Sequence, residues 1–199
     1  MKTIKIKSIK NLGYLIISVA LLSFFSCQGQ NKNKETDKSN ETITETKVKA
    51  PSIDIHGATF FGNLEAVKHH IDAGTDLNKK DPYGSTPLVI AATFGKTEIA
   101  KALINGGADL HIKNNEGSTP LHIAVLFCRT EIVQALLDKG ADKSLVNNYG
   151  STPLAIVSSS FNELKPVYDQ LSKDLGPFGL KLDYKHLEKT RPIIAELLN

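Results

Sequence analysis

Hydrophobic residues change their rhythm twice along the chain. Residues 12–25 form an apolar run of 14 positions broken by Gly13, Ser18 and Ser23. Residues 28–52 reverse this, with Ile43 and Val48 as the sole large apolar side chains. From residue 53 onward, apolar residues come in short clusters divided by polar, Gly- and Asn-rich stretches. Leu88, Ile90 and Ala91 form one cluster, and Ile99, Ala102 and Leu103 follow at i, i+3 and i+4. That is the period of a helix burying one face, so the spacing predicts a short helix after Thr86 and a second over about 98–105. Further on, Leu164, Val167, Tyr168, Leu171 and Leu175 predict an amphipathic helix over 162–175. A short helix near 184–189 and a last one over 192–198, carrying Ile193, Ile194, Leu197 and Leu198, complete the expected elements.

The residues between the clusters repeat. Gly84-Ser85-Thr86-Pro87-Leu88 returns as Gly117-Ser118-Thr119-Pro120-Leu121 and again, at the same interval, as Gly150-Ser151-Thr152-Pro153-Leu154. Thr97-Glu98-Ile99 and Thr130-Glu131-Ile132 keep that interval, as do Gly107-Ala108-Asp109 and Gly140-Ala141-Asp142, with Gly74-Thr75-Asp76 a weaker copy. The threonines suit helix N-caps, and the prolines suit N1, where a missing N–H costs nothing. Gly95 suits a left-handed helix end, and residues 114–117 suit a turn at the tip of an extended finger. Ala91, Ala92 and Ala124 are small where helices must approach closely.

A period of about 33 residues, with Thr119-Pro120-Leu121-His122 and a later Gly-Ala-Asp, resembles the ankyrin-repeat family over residues 48–199. The resemblance implies an all-α repeat solenoid of about four repeats, each a helix–turn–helix with a β-turn finger. The copies fall at about 48–80, 81–113, 114–146 and 147–199, within a repeat domain spanning 53–199. The last departs from the pattern. Its second helix should start at 163, yet the best match to Lys96-Thr97-Glu98-Ile99 is Lys189-Thr190-Arg191-Pro192. This predicts a helical insertion, about 160–188, between the two helices of that repeat.

Residues 1–27 carry Lys2, Lys5, Lys7 and Lys10 with no acid. A basic start followed by an apolar run of this length is the make-up of an export signal, since a membrane span wants roughly 20 apolar positions. Ser26-Cys27 before Gln28-Gly29-Gln30 resembles a bacterial lipoprotein signal peptide, with Phe24 where Leu is usual. The resemblance implies lipid attachment at Cys27, a membrane anchor through that lipid, and, from Gln28, the outer membrane of the cell envelope. A plain signal peptide cut nearby, or an uncleaved anchor, stays open. Residues 28–52 cannot bury enough surface to offset ordering entropy, so they read as a disordered tether. At Gly/Ser-like flexibility a segment of this length would reach roughly 28 Å.

Charge narrows the partner. The formal net charge of +3 comes from the first segment; beyond residue 52 there are 15 basic and 17 acidic residues. That leaves no basic footprint for nucleic acid. Two cysteines, Cys27 and Cys128, supply neither a zinc site nor a disulfide framework. His122 reads as a bond between neighbouring turns, and His69-His70 as solvated surface, since adjacent helical positions diverge. Cys128 stands where Gly62 and Gly95 close earlier helices. A left-handed Cys would be strained, and Cys128→Gly is expected to stabilise the domain. Residues 176–179 lack the Lys-Ser/Thr of a phosphate loop. No catalytic residue, metal ligand or cofactor is nominated.

The expected function is therefore non-enzymatic binding of a protein partner by a monomer. By the ankyrin resemblance, the partner-facing positions are Pro82, Tyr83 and Ser85; Asn115, Glu116 and Ser118; and Asn148, Tyr149 and Ser151 on the fingers. Phe61, Phe94 and Phe127 recur at the repeat interval and are expected to line up along the first helices, with Phe60, Thr93 and Leu126 beside them, either as exposed partner anchors or as rings packed between adjacent repeats. Two alternatives stay open: an enzyme or small-ligand site at the insertion, and an immunity-type inhibitor of an exported enzyme.

Overall fold

Short polar side chains start nearly every helix, and the computed structural model shows each of them at work over residues 50–199, the part of the chain it describes. The expected signal segment, Cys27 and nearly all of the 28–52 tether lie outside the described residues. Asp54 caps α1 (Ile55–Phe61) and Asn63 caps α2 (Leu64–Asp72). Thr86, Thr119 and Thr152 cap α3 (Pro87–Phe94), α5 (Pro120–Leu126) and α7 (Pro153–Ser158), each with proline in the first turn. The second helices α4 (Thr97–Asn105) and α6 (Thr130–Asp138) follow after tight turns. Such caps satisfy amides that a helix leaves free. Two longer helices close the chain: α8 (Phe161–Leu175), with a Ser160–Glu163 capping box, and α9 (Tyr184–Leu198).

The helices stack in two rows. Along one, α1 packs on α3, α3 on α5 and α5 on α7; along the other, α2 packs on α4, α4 on α6 and α6 on α9. Their shared seam is the core, with Ala58, Leu88, Ala91, Leu103, Leu121, Ala124, Ile132 and Leu136 fully enclosed. Alanines at the first-row contacts let the short helices come close. No strand occurs among the described residues. This is an all-α repeat solenoid.

Helix α9 is where the structure corrects the sequence reading. Residues 184–189 and 192–198 are one helix, with Pro192 inside it. Proline removes an N–H that would have bonded back to Glu188, but Pro192 and Glu188 both face solvent, so water can satisfy that carbonyl. Leu187, Thr190, Arg191, Ile194 and Leu198 are buried on either side of it and hold the helix in place. α9 thus stands in the second row beside α7, with α8 inserted between them in sequence.

The insertion folds back over the turn between α5 and α6. The Tyr168 hydroxyl donates to Leu126 O at 2.8 Å, and the Cys128 thiol to Leu187 O at 3.6 Å. Cys128 does adopt the left-handed conformation, φ 52°, matching Gly62 at 79° and Gly95 at 64°. Yet its side chain is 2% exposed and belongs to the core, and burial pushes the thiol pKa up to about 11. The strain behind the expected gain from Cys128→Gly is present, but the substitution would also empty a packed site, and that loss opposes the gain.

Arg191 is the element the sequence did not announce. It is 3% exposed, and its guanidinium donates to the carbonyls of Ile156 (2.8 Å), Val157 (3.1 Å) and Ser159, and to the Tyr168 hydroxyl (3.2 Å). α7 ends without a left-handed glycine, and this cation takes up the carbonyls that such an end leaves free.

Candidate partner-facing surface

The fingers are built on one repeated device. The side-chain oxygen of Asp81 accepts from the amides of Tyr83 and Ser85, both at 2.8 Å. Asn114 does the same for Glu116 and Ser118 at 3.1 and 2.9 Å, and Asn147 for Tyr149 and Ser151 at 3.0 and 3.1 Å. Each turn is sealed by its own backbone pair, such as Asp81 N–H to Ser85 O at 2.9 Å. These polar caps make the tips rigid.

The tips are also fastened to each other. Asn148 donates from its backbone to Glu116 O and from its side chain to Asn115 O, both at 3.0 Å. Oδ1 of Asn115 sits where a Cβ on Gly84 would be, and Oδ1 of Asn148 does so at Gly117. Both glycines have positive φ, 76° and 70°, so each is required twice over. Asn115 and Asn148 are thus largely engaged in joining fingers. Lys113 adds a bond to Val146 O at 2.8 Å. The imidazole of His122 reaches Ser151 O at 3.1 Å through Nε2, while Nδ1 accepts from the Thr119 amide at 3.2 Å. Burial lowers its pKa. His122 is the inter-turn bond expected of it.

Residues 55–147 match the family model described as ankyrin repeats, three copies. Residues 55–147 are ankyrin repeats. Modules of this kind bind other proteins, and the finger and first-helix positions can be followed one by one along these repeats. Tyr83 and Tyr149 stand out at 41% and 45% exposure; Pro82, Asn115 and Asn148 are exposed, and Ser85, Glu116 and Ser151 half-buried. Ser118 and Phe127 are not accessible. Both are buried, Ser118 within the finger's turn and Phe127 in the turn where α8 and α9 dock.

The expected aromatic stripe is also shorter than its spacing suggests. Phe61 is 70% exposed and Phe94 half-buried, and Phe60 links them edge-to-face with ring centroids 5.2 and 5.0 Å away. Phe127 instead lies under the Arg129 guanidinium, 6.0 Å from its centroid. His70, expected on the surface, is buried and bridges Ile53 O (2.8 Å) and Thr75 Oγ1 (3.0 Å); His69 is exposed. No group of three His, Cys, Asp or Glu that could hold a metal comes together among the described residues.

Electrostatics single out the middle finger. Burial raises the Glu116 pKa, and burial together with the charge of Glu116 raises that of Tyr149. The acids nearby are in use: Asp109 and Asp142 accept from the amides of His111 and Ser144, each at 2.8 Å. Sequence spacing placed Glu116 on the finger but carried no sign of this difference.

Proposed function

We propose that the chain is a non-enzymatic protein-binding module of the bacterial cell envelope, anchored by lipid on Cys27 and docking a partner on its finger tips and the adjoining first helices. The observation carrying the docking reading is the set of rigid, mutually fastened tips that present Tyr83 and Tyr149 to solvent, with Phe61 exposed at the start of the first row. Partly exposed aromatics on a preorganised surface are the usual anchors of interfaces. The lipid reading rests on the four lysines, the apolar run over 12–25 and Ser26-Cys27; two or more acyl chains make a stable anchor where one is marginal. Through the polar 28–52 segment the module stands off the membrane, as a monomer, within reach of envelope proteins.

The test is co-purification from detergent-solubilised envelopes. Wild type is expected to retain a stoichiometric partner, while Tyr83→Ala/Tyr149→Ala loses it at an unchanged thermal midpoint. Unchanged co-purification by that stable variant removes this face from consideration. Cys27→Ser is expected to shift the protein to the soluble fraction or leave an uncleaved precursor. An unmodified mature N-terminus by mass spectrometry of the wild type would end the lipid reading.

A further inference from the structure

Glu116 is a carboxylate without a counterpart. It is half-buried, and among the described residues its side chain makes no ion pair and accepts no hydrogen bond from another residue. The cation closest to it along the chain, Lys113, is turned to Val146 O. Asp81, Asp109 and Asp142 cap backbone amides, and Glu98 and Glu131 share Lys101. The carboxylate is left to water and to its own backbone amide, so a cation arriving there displaces no existing ion pair.

Its neighbours are aromatic. Tyr83, Glu116 and Tyr149 hold the same position in three consecutive fingers. The tips are in contact through Asn115 on Gly84 and Asn148 on Gly117. The Asn148 N–H donates to Glu116 O at 3.0 Å, which seats the Tyr149 finger directly beside Glu116. The finger on either side of Glu116 presents an exposed ring, so a cation at the carboxylate meets a counter-charge with an aromatic neighbour in the row.

We infer that the Tyr83–Glu116–Tyr149 row receives an arginine or lysine side chain from an exposed basic segment of the protein partner. This rests on the finger-tip docking reading and gives it a chemical identity. Charge complementarity carries the choice of occupant: an acidic segment would meet an unpaired carboxylate, and a purely apolar one would bury it further.

The experiment uses the full chain in detergent and a fluorescent tri-arginine peptide, with a tri-glutamine peptide of equal length as comparison. The arginine peptide is expected to bind at least ten-fold tighter than the glutamine peptide. Glu116→Gln should remove most of that preference at an unchanged thermal midpoint. Glu65→Gln, which alters an exposed carboxylate on α2, should leave it intact. Tyr83→Phe should bind as wild type and Tyr83→Ala several-fold more weakly. Equal binding of both peptides, or an equal loss in Glu65→Gln and Glu116→Gln, overturns the inference. Envelope co-purification separates the two claims. If Tyr83→Ala/Tyr149→Ala loses the partner and Glu116→Gln keeps it, the cation site falls and the docking face stands; if all variants keep it, both fall.

Discussion

The ring of His122 has a fixed proton. A backbone amide can only donate, so the Thr119 N–H makes Nδ1 an acceptor and leaves Nε2 to donate to Ser151 O. Protonating Nδ1 would break the first bond and charge a buried ring. Since burial lowers the folded pKa below the ordinary value near 6.5, stability tied to the neutral ring is fully present above about 6.5 and is lost as pH falls from there through the lower folded value. Urea midpoints of wild type should therefore fall between pH 7 and 5, by at most about 1.4 kcal/mol per pH unit for one proton. His122→Gln should start less stable and show a flatter profile; parallel profiles would assign the dependence elsewhere. Cys128 poses a balance of a different kind. Its left-handed backbone costs roughly 1 kcal/mol, while emptying its buried site costs about 2 kcal/mol in lost burial and residual cavity. From those two magnitudes, Cys128→Gly is expected to lower stability by about 1 kcal/mol, and a raised thermal midpoint would show that strain dominates.

Among the elements, α7 depends on a residue from far along the chain. Its last carbonyls are held by Arg191, and a hydrogen bond to a charged group contributes a net of about 1.5–3 kcal/mol. Arg191→Met should destabilise by about 3 kcal/mol, with Arg191→Lys intermediate because an ammonium lacks the planar fork. A loss under about 1 kcal/mol by chemical denaturation would mean that water replaces the guanidinium. Local chemistry made much of this fold readable: Thr86-Pro87 marks a helix start, and the recurrence at Thr119 and Thr152 fixes the period. The insertion was visible as a break in that period. What it folds against was not, because spacing assigns a residue to its place in a repeat but not to a neighbour from elsewhere in the chain. Phe127 has the same register as Phe61 yet is buried, since only its turn receives α8 and α9. Pro192 reads as a helix boundary until its solvent-facing side is known. Glu116 was readable as a finger residue, but its lack of a partner depends on where Lys113 and the neighbouring acids turn.

At the scale of the whole array, α9 and the insertion close the end that α6 and α7 would otherwise expose. Deleting residues 159–199 uncovers apolar side chains such as Val157 and removes the Lys143 bonds to Leu198 O and Asn199 O at 2.7 and 3.2 Å. Solenoids need a polar terminal face, so the truncated protein should aggregate and lose cooperative unfolding; a monomeric, cooperative domain ending at 158 would show the tail to be an appendage. The long connection has a further effect, on timing. α3 and α4 are joined by Gly95 and Lys96, whereas the path from α7 to α9 runs through residues 159–183. Closing a loop some ten-fold longer costs roughly 2 kcal/mol more entropy, and it cannot begin until α8 has been synthesised. α7, held by its borrowed guanidinium, is therefore expected to be secured later than α3 and α5 and to exchange its amide hydrogens ahead of them, an order that native-state hydrogen exchange would check.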